Sequence, residues 1–141
     1  MAIRPYLAFA GNAREAFTRY QQILGGELVL LSNADMPADA GEAPPGLAAD
    51  AIMHAALMAP SGLLMGADDT AGGYQGTVHG MCVNLALDSV EEVTRVFAAL
   101  TEGGTVQQPV IETFFSPAFG MCIDRYGVPW MVMVDGPQPE M

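Results

Sequence analysis

The sequence predicts an α+β fold in which one strand–helix–strand–strand–strand unit is used twice. Three observations predict it. Two amphipathic stretches echo each other, "REAFTRYQQILGGELV" and "EEVTRVFAALTEGGTV", and each runs into a glycine pair. Each follows one short apolar run and precedes several more, the pattern of strands around a helix. A glycine-rich connection, "DDTAGGYQGTVHG", separates the two halves.

The elements follow in order. "IRPYLAFAG" is aromatic, short and closed by glycine, so it reads as a strand, with Pro5 near its start or on an edge. Asn12 caps the helix "AREAFTRYQQIL", with Glu15 at the capping-box position. Ala13, Ala16, Phe17, Tyr20, Ile23 and Leu24 fall on one helical face, and Gly25-Gly26 ends the helix. "ELVLLS" is the second strand. Residues 33–50 are rich in Pro, Gly, Ala and Asp and read as a long mobile loop, a candidate lid. "AIMHAALMA" and "LLMGAD" form a hairpin about "PSG".

The second half repeats the plan. "MCVNLALD" is a strand, and Ser89 caps "VEEVTRVFAALTE" with Glu92 three residues on. Gly103-Gly104 stops that helix. "TVQQPVIET", "AFGMCIDR" and "VPWMVMV" are the remaining strands. The organisation expected is a single domain: module one about residues 1–70, a linker about 70–78, module two about 79–135, and a frayed tail at 136–141.

Four stretches in this order, "PYLAFAGNAREAFTRYQQILGGEL", "IMHAALMAPSGLLMGAD", "LTEGGTVQQPVIETFF" and "FGMCIDRYGVPWMV", carry a family resemblance. The chain resembles the glyoxalase/bleomycin-resistance/dioxygenase superfamily, also called vicinal oxygen chelate proteins. Within it, the resemblance is to the PhnB-like branch, often labelled demethylubiquinone-methyltransferase-like. It implies two βαβββ modules whose curved mixed sheets enclose a cavity, commonly in a homodimer. It also implies inward strand positions for metal ligands, usually His, Glu or Gln. Carried over, these fall at Pro5, near Met65, at Cys82 and at Met131. Proline has no side-chain donor, methionine is a soft, weak one, and only Cys82 suits a transition metal. A catalytic site needs about three protein ligands, so no metal site and no cofactor are expected. A methyl-donor site of the Rossmann type would show strand, glycine turn and helix. In "GADDTAGGYQG" no helix follows the glycines, so methyltransferase activity is not expected.

Composition narrows the partners. The 141 residues are 51% hydrophobic and 15% charged, which argues for a packed globule and against disorder. Five basic residues against 16 acidic ones give a net charge of −11, which repels nucleic acid and anionic membrane surfaces. No apolar stretch is long enough to span a bilayer, and the N-terminus reads as the start of a strand rather than a signal peptide. The cytoplasm is the default compartment. Cys82 and Cys122 lie in apolar runs and read as packing, not as a disulfide framework.

Candidate site residues follow from these strands. His54 faces Asp68 across the hairpin if "PSG" is its turn, and a carboxylate beside imidazole makes a candidate general base. The bland reading is a structural histidine. His79 reads as exposed. Leu7 and Phe9 on the first strand, Cys82, Asn84 and Met131 on later ones, and Phe114 and Phe115 as an aromatic rim are the expected ligand-binding wall. Asn84 shares a face with Cys82. Trp130 then faces the other way and is core. Seven of the ten methionines, Met53, Met58, Met65, Met81, Met121, Met131 and Met133, fall in predicted strands. They are core filling or the lining of an adaptable cavity.

The leading expectation is a metal-independent protein that binds a small apolar or aromatic ligand, with a cationic one compatible with the charge. The alternative is a metal-free enzyme doing acid–base chemistry beside a carbonyl with His54 and Asp68, the substrate oriented by Asn84 or Tyr126. A metal-dependent lyase or dioxygenase ranks third.

Overall fold

The structure is a computed structural model that describes residues 2–35, 49–69, 78 and 80–135. The chain divides into two compact units, Met1–Gly76 and Thr77–Met141. The first holds β1 (Tyr6–Phe9), α1 (Ala13–Leu24), β2 (Glu27–Ser32), β3 (Ile52–Ala59) and β4 (Gly62–Asp68). The second holds β5 (Val83–Leu87), α2 (Val90–Thr101), β6 (Thr105–Ile111), β7 (Phe119–Ile123) and β8 (Pro129–Val134). The expected element order is found in both.

The sheets share one topology. Their strand orders are β1-β4-β3-β2 and β5-β8-β7-β6. In each, the first strand lies parallel to the last and the other neighbours are antiparallel. The parallel pair is closed by the long excursion through helix and hairpin, as parallel pairing requires.

One helix covers one face of each sheet. In the first unit α1 packs across β3, β2 and β4, burying Ala13, Ala16, Phe17, Tyr20 and Ile23. Phe17 meets Phe9 and Tyr20 edge to face, at centroid distances of 5.7 Å each. Full burial of such a side chain is worth about 1.5–3 kcal/mol, so this aromatic row fixes which side of β1 is core. In the second unit α2 packs on β7, β8 and β6, burying Val93, Val96, Phe97 and Leu100. Trp130 is buried beneath it with Val132 and Cys122, the orientation that the alternation predicts.

The caps differ between the units. Ser89 Oγ accepts the Glu92 N–H at 3.2 Å, as the sequence predicts. Asn12 does not cap α1 with its side chain. Asp68 does so from the end of β4, its Oδ1 accepting the Ala13 N–H at 2.9 Å. A carboxylate held by the sheet takes the place of the local amide. Both helices end on glycine pairs whose second member is sterically required. A Cβ on Gly26 would fall on the Met58 carbonyl oxygen, and one on Gly104 on that of Ile123.

The loop after β2 begins with a 3-10 turn, Asn33–Asp35, where the sequence predicts no element. Asp35 Oδ2 accepts from both the N–H and the hydroxyl of Ser32, and these bonds pull its carboxyl below the usual range. The proposed lid lies otherwise outside the described residues, as do His79, most of the glycine-rich connection and the tail.

Candidate functional site

The faces not covered by the helices are built by alternation along each strand. In the second unit that face carries Asn84 on β5, Met131 on β8 and Met121 on β7, aligned in one cross-strand row. Met133 and Phe119 form the next row. At the other end lies a cavity of about 460 Å³, lined by Cys82 and Met81 before β5, Pro129, Ile123, Met121 and Gln107, with Val78 and Gly80. Its volume lies within the usual range for small-molecule sites. Gln107 brings the one side-chain amide to an otherwise apolar and sulfur-rich wall.

The expected residues of this unit fall on the uncovered face in part. Cys82 is half-buried and lines the cavity. Asn84 and Met131 share the same sheet face but lie outside the cavity lining. Phe114 is exposed, Phe115 stacks edge-on to it at 5.2 Å, and Phe119 continues the row at 5.1 Å from Phe115. An aromatic ladder therefore runs from the loop onto β7. The buried Ser116 fixes the loop below it, its hydroxyl lying 2.8 and 3.0 Å from the Ala118 and Val134 carbonyl oxygens, so that its one proton is shared between them. Tyr126 is buried in the β7–β8 turn, away from the role of orienting a substrate.

In the first unit the sequence expectation needs two corrections. Leu7 and Phe9 are not a ligand wall. They are 4% and 0% exposed and pack under α1. The strand period is two, so choosing the wrong parity moves every side chain to the other face. Tyr6 and Ala8 stand on the uncovered face instead. The His54–Asp68 pair does not form either. On β4 the buried positions are Leu64, Gly66 and Asp68, on the helix side, while His54 points the other way. The Asp68 carboxylate is engaged by the N–H groups of Ala13 and Ile52, each at 2.9 Å.

His54 has a different partner. Its Nδ1 lies 3.0 Å from the Tyr6 hydroxyl, and the two rings sit 5.8 Å apart at 31°. Tyr6 reaches across β4 on a face that also carries Ala8, Ala56, Ala67 and Met65. Met65 is opposite Tyr6 in register, and Leu31 opposite His54. The sequence carried a signal for this couple, an aromatic hydroxyl and an imidazole on strands joined through a common neighbour. The strand parity needed to read it was missing.

The positions where the family resemblance implies metal ligands are Pro5, the neighbourhood of Met65, Cys82 and Met131. Thioethers and a single thiol do not fit a hard, oxygen-seeking divalent ion. Among the described residues no three His, Cys, Asp or Glu side chains cluster as a ligand set.

Comparison with known proteins places this architecture. The profile of the 3-demethylubiquinone-9 3-methyltransferase family matches residues 1–133. Protein YjdN of Escherichia coli K12 is 35% identical over 99% of both chains. A Pseudomonas aeruginosa protein of known crystal structure is 43% identical, with a TM-score of 0.84 over 96% of this chain and 98% of its own. The PhnB protein of Bacillus cereus is 26% identical, with a TM-score of 0.74 over 95% and 99%. A glyoxalase/bleomycin resistance protein/dioxygenase domain from Frankia shares the fold at 17% identity and a TM-score of 0.64, over 97% and 98%. The chain therefore belongs to the PhnB-like 3-demethylubiquinone-9 3-methyltransferase family, built on the glyoxalase-type fold.

Proposed function

We propose that this protein binds a small, largely apolar or aromatic molecule without the help of a metal ion. The observation that carries this reading is the 460 Å³ cavity of the second unit, walled by Met81, Cys82, Met121, Ile123 and Pro129. Methionine side chains adapt to ligands of varied outline. The net charge of −11 favours neutral or cationic ligands over anions.

The test is a melting-temperature screen with neutral and cationic aromatic compounds. A ligand at 100 times its dissociation constant adds about 2.7 kcal/mol, a shift of several degrees. Cys82→Trp, which fills the cavity, is expected to abolish that shift. A broad panel without a single stabilising compound rejects the reading.

A second reading, acid–base chemistry beside a carbonyl, retains one supporting observation. The Tyr6–His54 bond orients the imidazole in the way that the expected Asp68 does not. Its test is deuterium wash-in at the α-carbon of carbonyl probes, lost in His54→Gln. The methyl transfer in the family description has less support. Each sheet has one parallel strand pair, not the doubly wound parallel sheet that carries nucleotide-type cofactors at its strand ends. A homodimer and a cytoplasmic location belong to the same proposal, and sedimentation analysis tests the former.

A further inference from the structure

We propose that Gln107 makes the cavity of the second unit selective for flat, fused-ring ligands with a lactam edge, a ring N–H beside a ring C=O. This rests on the reading of that cavity as a small-molecule site and adds the class of ligand. Placement is the first observation. Strand β6 pairs with β7 at Thr105–Ile123 and Val106–Cys122, and then, after a break in register, at Gln108–Met121. A bulge of this kind sets two residues against one partner and re-aims a side chain. Here Gln107 and Gln108 stand against Met121, and Gln107 lines the cavity.

Hydrogen-bond valence is the second observation. Gln108 uses its amide locally, its Nε2 donating to the Pro109 carbonyl at 2.9 Å. The Gln107 side chain makes no hydrogen bond among the described residues. A primary amide presents a carbonyl oxygen and an N–H side by side. Its complement is an acceptor beside a donor on one edge, the pairing by which a glutamine amide grips a purine edge bidentately. A lactam supplies it. The lactam C=O accepts the amide N–H, and the lactam N–H donates to the amide oxygen. A carboxylate only accepts and an ammonium group only donates, so each meets one half of the amide and opposes the other. The net charge of −11 disfavours a carboxylate further.

The rest of the wall sets the body of the ligand. From Gln107 on β6 the lining crosses Met121 and Ile123 on β7 and Pro129 on β8 to Cys82, which precedes β5. Three strand spacings make that span about 14 Å, room for two or three fused rings. No side chain after Gln107 in this series carries an amide or a charge, so the polar edge of the ligand is met at one end only. The Met121 thioether favours an aromatic face beside it.

The test compares 2-quinolinone with its N-methyl derivative at neutral pH, by isothermal titration calorimetry against the whole protein. Methylation removes the donor and keeps the rings and the carbonyl. The lactam is expected to bind about tenfold more tightly, a difference of about 1.4 kcal/mol. In Gln107→Met, which keeps the stem and removes the amide, the ratio is expected to fall to within about twofold. In Gln108→Met it is expected to persist, and Cys82→Trp is expected to abolish binding of both compounds. Unchanged thermal melts of the variants show that the fold is intact. A ratio that survives Gln107→Met, one lost equally in Gln108→Met, or binding that persists in Cys82→Trp overturns the proposal. Equal affinities in the parent protein, abolished by Cys82→Trp, remove the lactam assignment and leave the cavity reading standing. Failure of both compounds to bind also overturns the proposal, and the melting-temperature screen then decides separately whether the cavity takes other ligands.

Discussion

Asp68 caps α1 through Ala13. The carboxylate at the end of β4 accepts the first N–H of the helix at 2.9 Å through Oδ1, and the Ile52 N–H at 2.9 Å through Oδ2. One buried side chain thus ties the helix start to two strands. Asn12, the residue that the local sequence nominates, leaves its Oδ1 buried and without a partner among the described residues. Asp68→Ala strands two buried donors and is expected to cost about 2–4 kcal/mol. Asn12→Ala is expected to change stability by no more than about 0.5 kcal/mol, against the ~1 kcal/mol of a working cap. Urea melts of the two variants check this order, and the reverse order would mean that Asn12 is the cap.

Asp124 plays the corresponding part in the second unit's last hairpin. Its Oδ1 accepts from the Tyr126 and Val128 N–H groups at 2.9 and 3.0 Å, and its Oδ2 from the Trp130 indole at 2.9 Å. Trp130→Phe removes one donor and is expected to cost about 1–3 kcal/mol, and Asp124→Ala clearly more, since it leaves three buried donors unmet. Denaturant curves followed by far-UV circular dichroism measure both. Equal costs would show that the indole bond dominates the turn.

The two thiols separate by environment. Cys122 is fully buried on β7, and burial first, then the negative charge of Asp124, pushes its pKa from 9.0 up to about 11. Cys82 is half-buried in the cavity wall. A thiol reagent at mildly alkaline pH is expected to titrate one thiol quickly in the native protein and two in denaturant. Because the folded state holds the Cys122 proton more tightly than the unfolded chain, its contribution is fully present below about pH 9. It is lost between about pH 9 and 11, where only the unfolded chain ionises. Cys122→Ala should flatten the fall in melting temperature across that window, and an unchanged slope assigns it to other groups.

The glycine pair after α2 divides its work. Gly103 has φ +75° and a Cβ there would meet only the Arg125 side chain, whose Nε donates to the Glu102 carbonyl, whereas a Cβ on Gly104 meets the backbone of Ile123 and Asp124. Gly103→Ala is expected to cost about 1–2 kcal/mol from the left-handed backbone. Gly104→Ala is expected to cost more, because a backbone cannot rotate out of the way as a side chain can. Thermal melts rank the two.

The sequence by itself determined much here. The repeated unit, both helices, every strand to within a few residues, the Ser89 cap and the burial of Trp130 all follow from patterns a few residues long. Local period and local capping chemistry are enough for them. What only the tertiary structure decided is which side of each strand a helix covers. Alternation gives β1 two faces, Leu7 and Phe9 on one and Tyr6 and Ala8 on the other, and both are apolar enough to be core. Phe17 and Tyr20 of α1 settle it by packing on Phe9. That choice sends Asp68 to the helix terminus and leaves Tyr6 beside His54. A partner fixed by contacts dozens of residues apart, 48 for Tyr6–His54 and 55 for Ala13–Asp68, leaves no trace in the local pattern. The sequence therefore yields the scaffold, and long-range packing selects the pair.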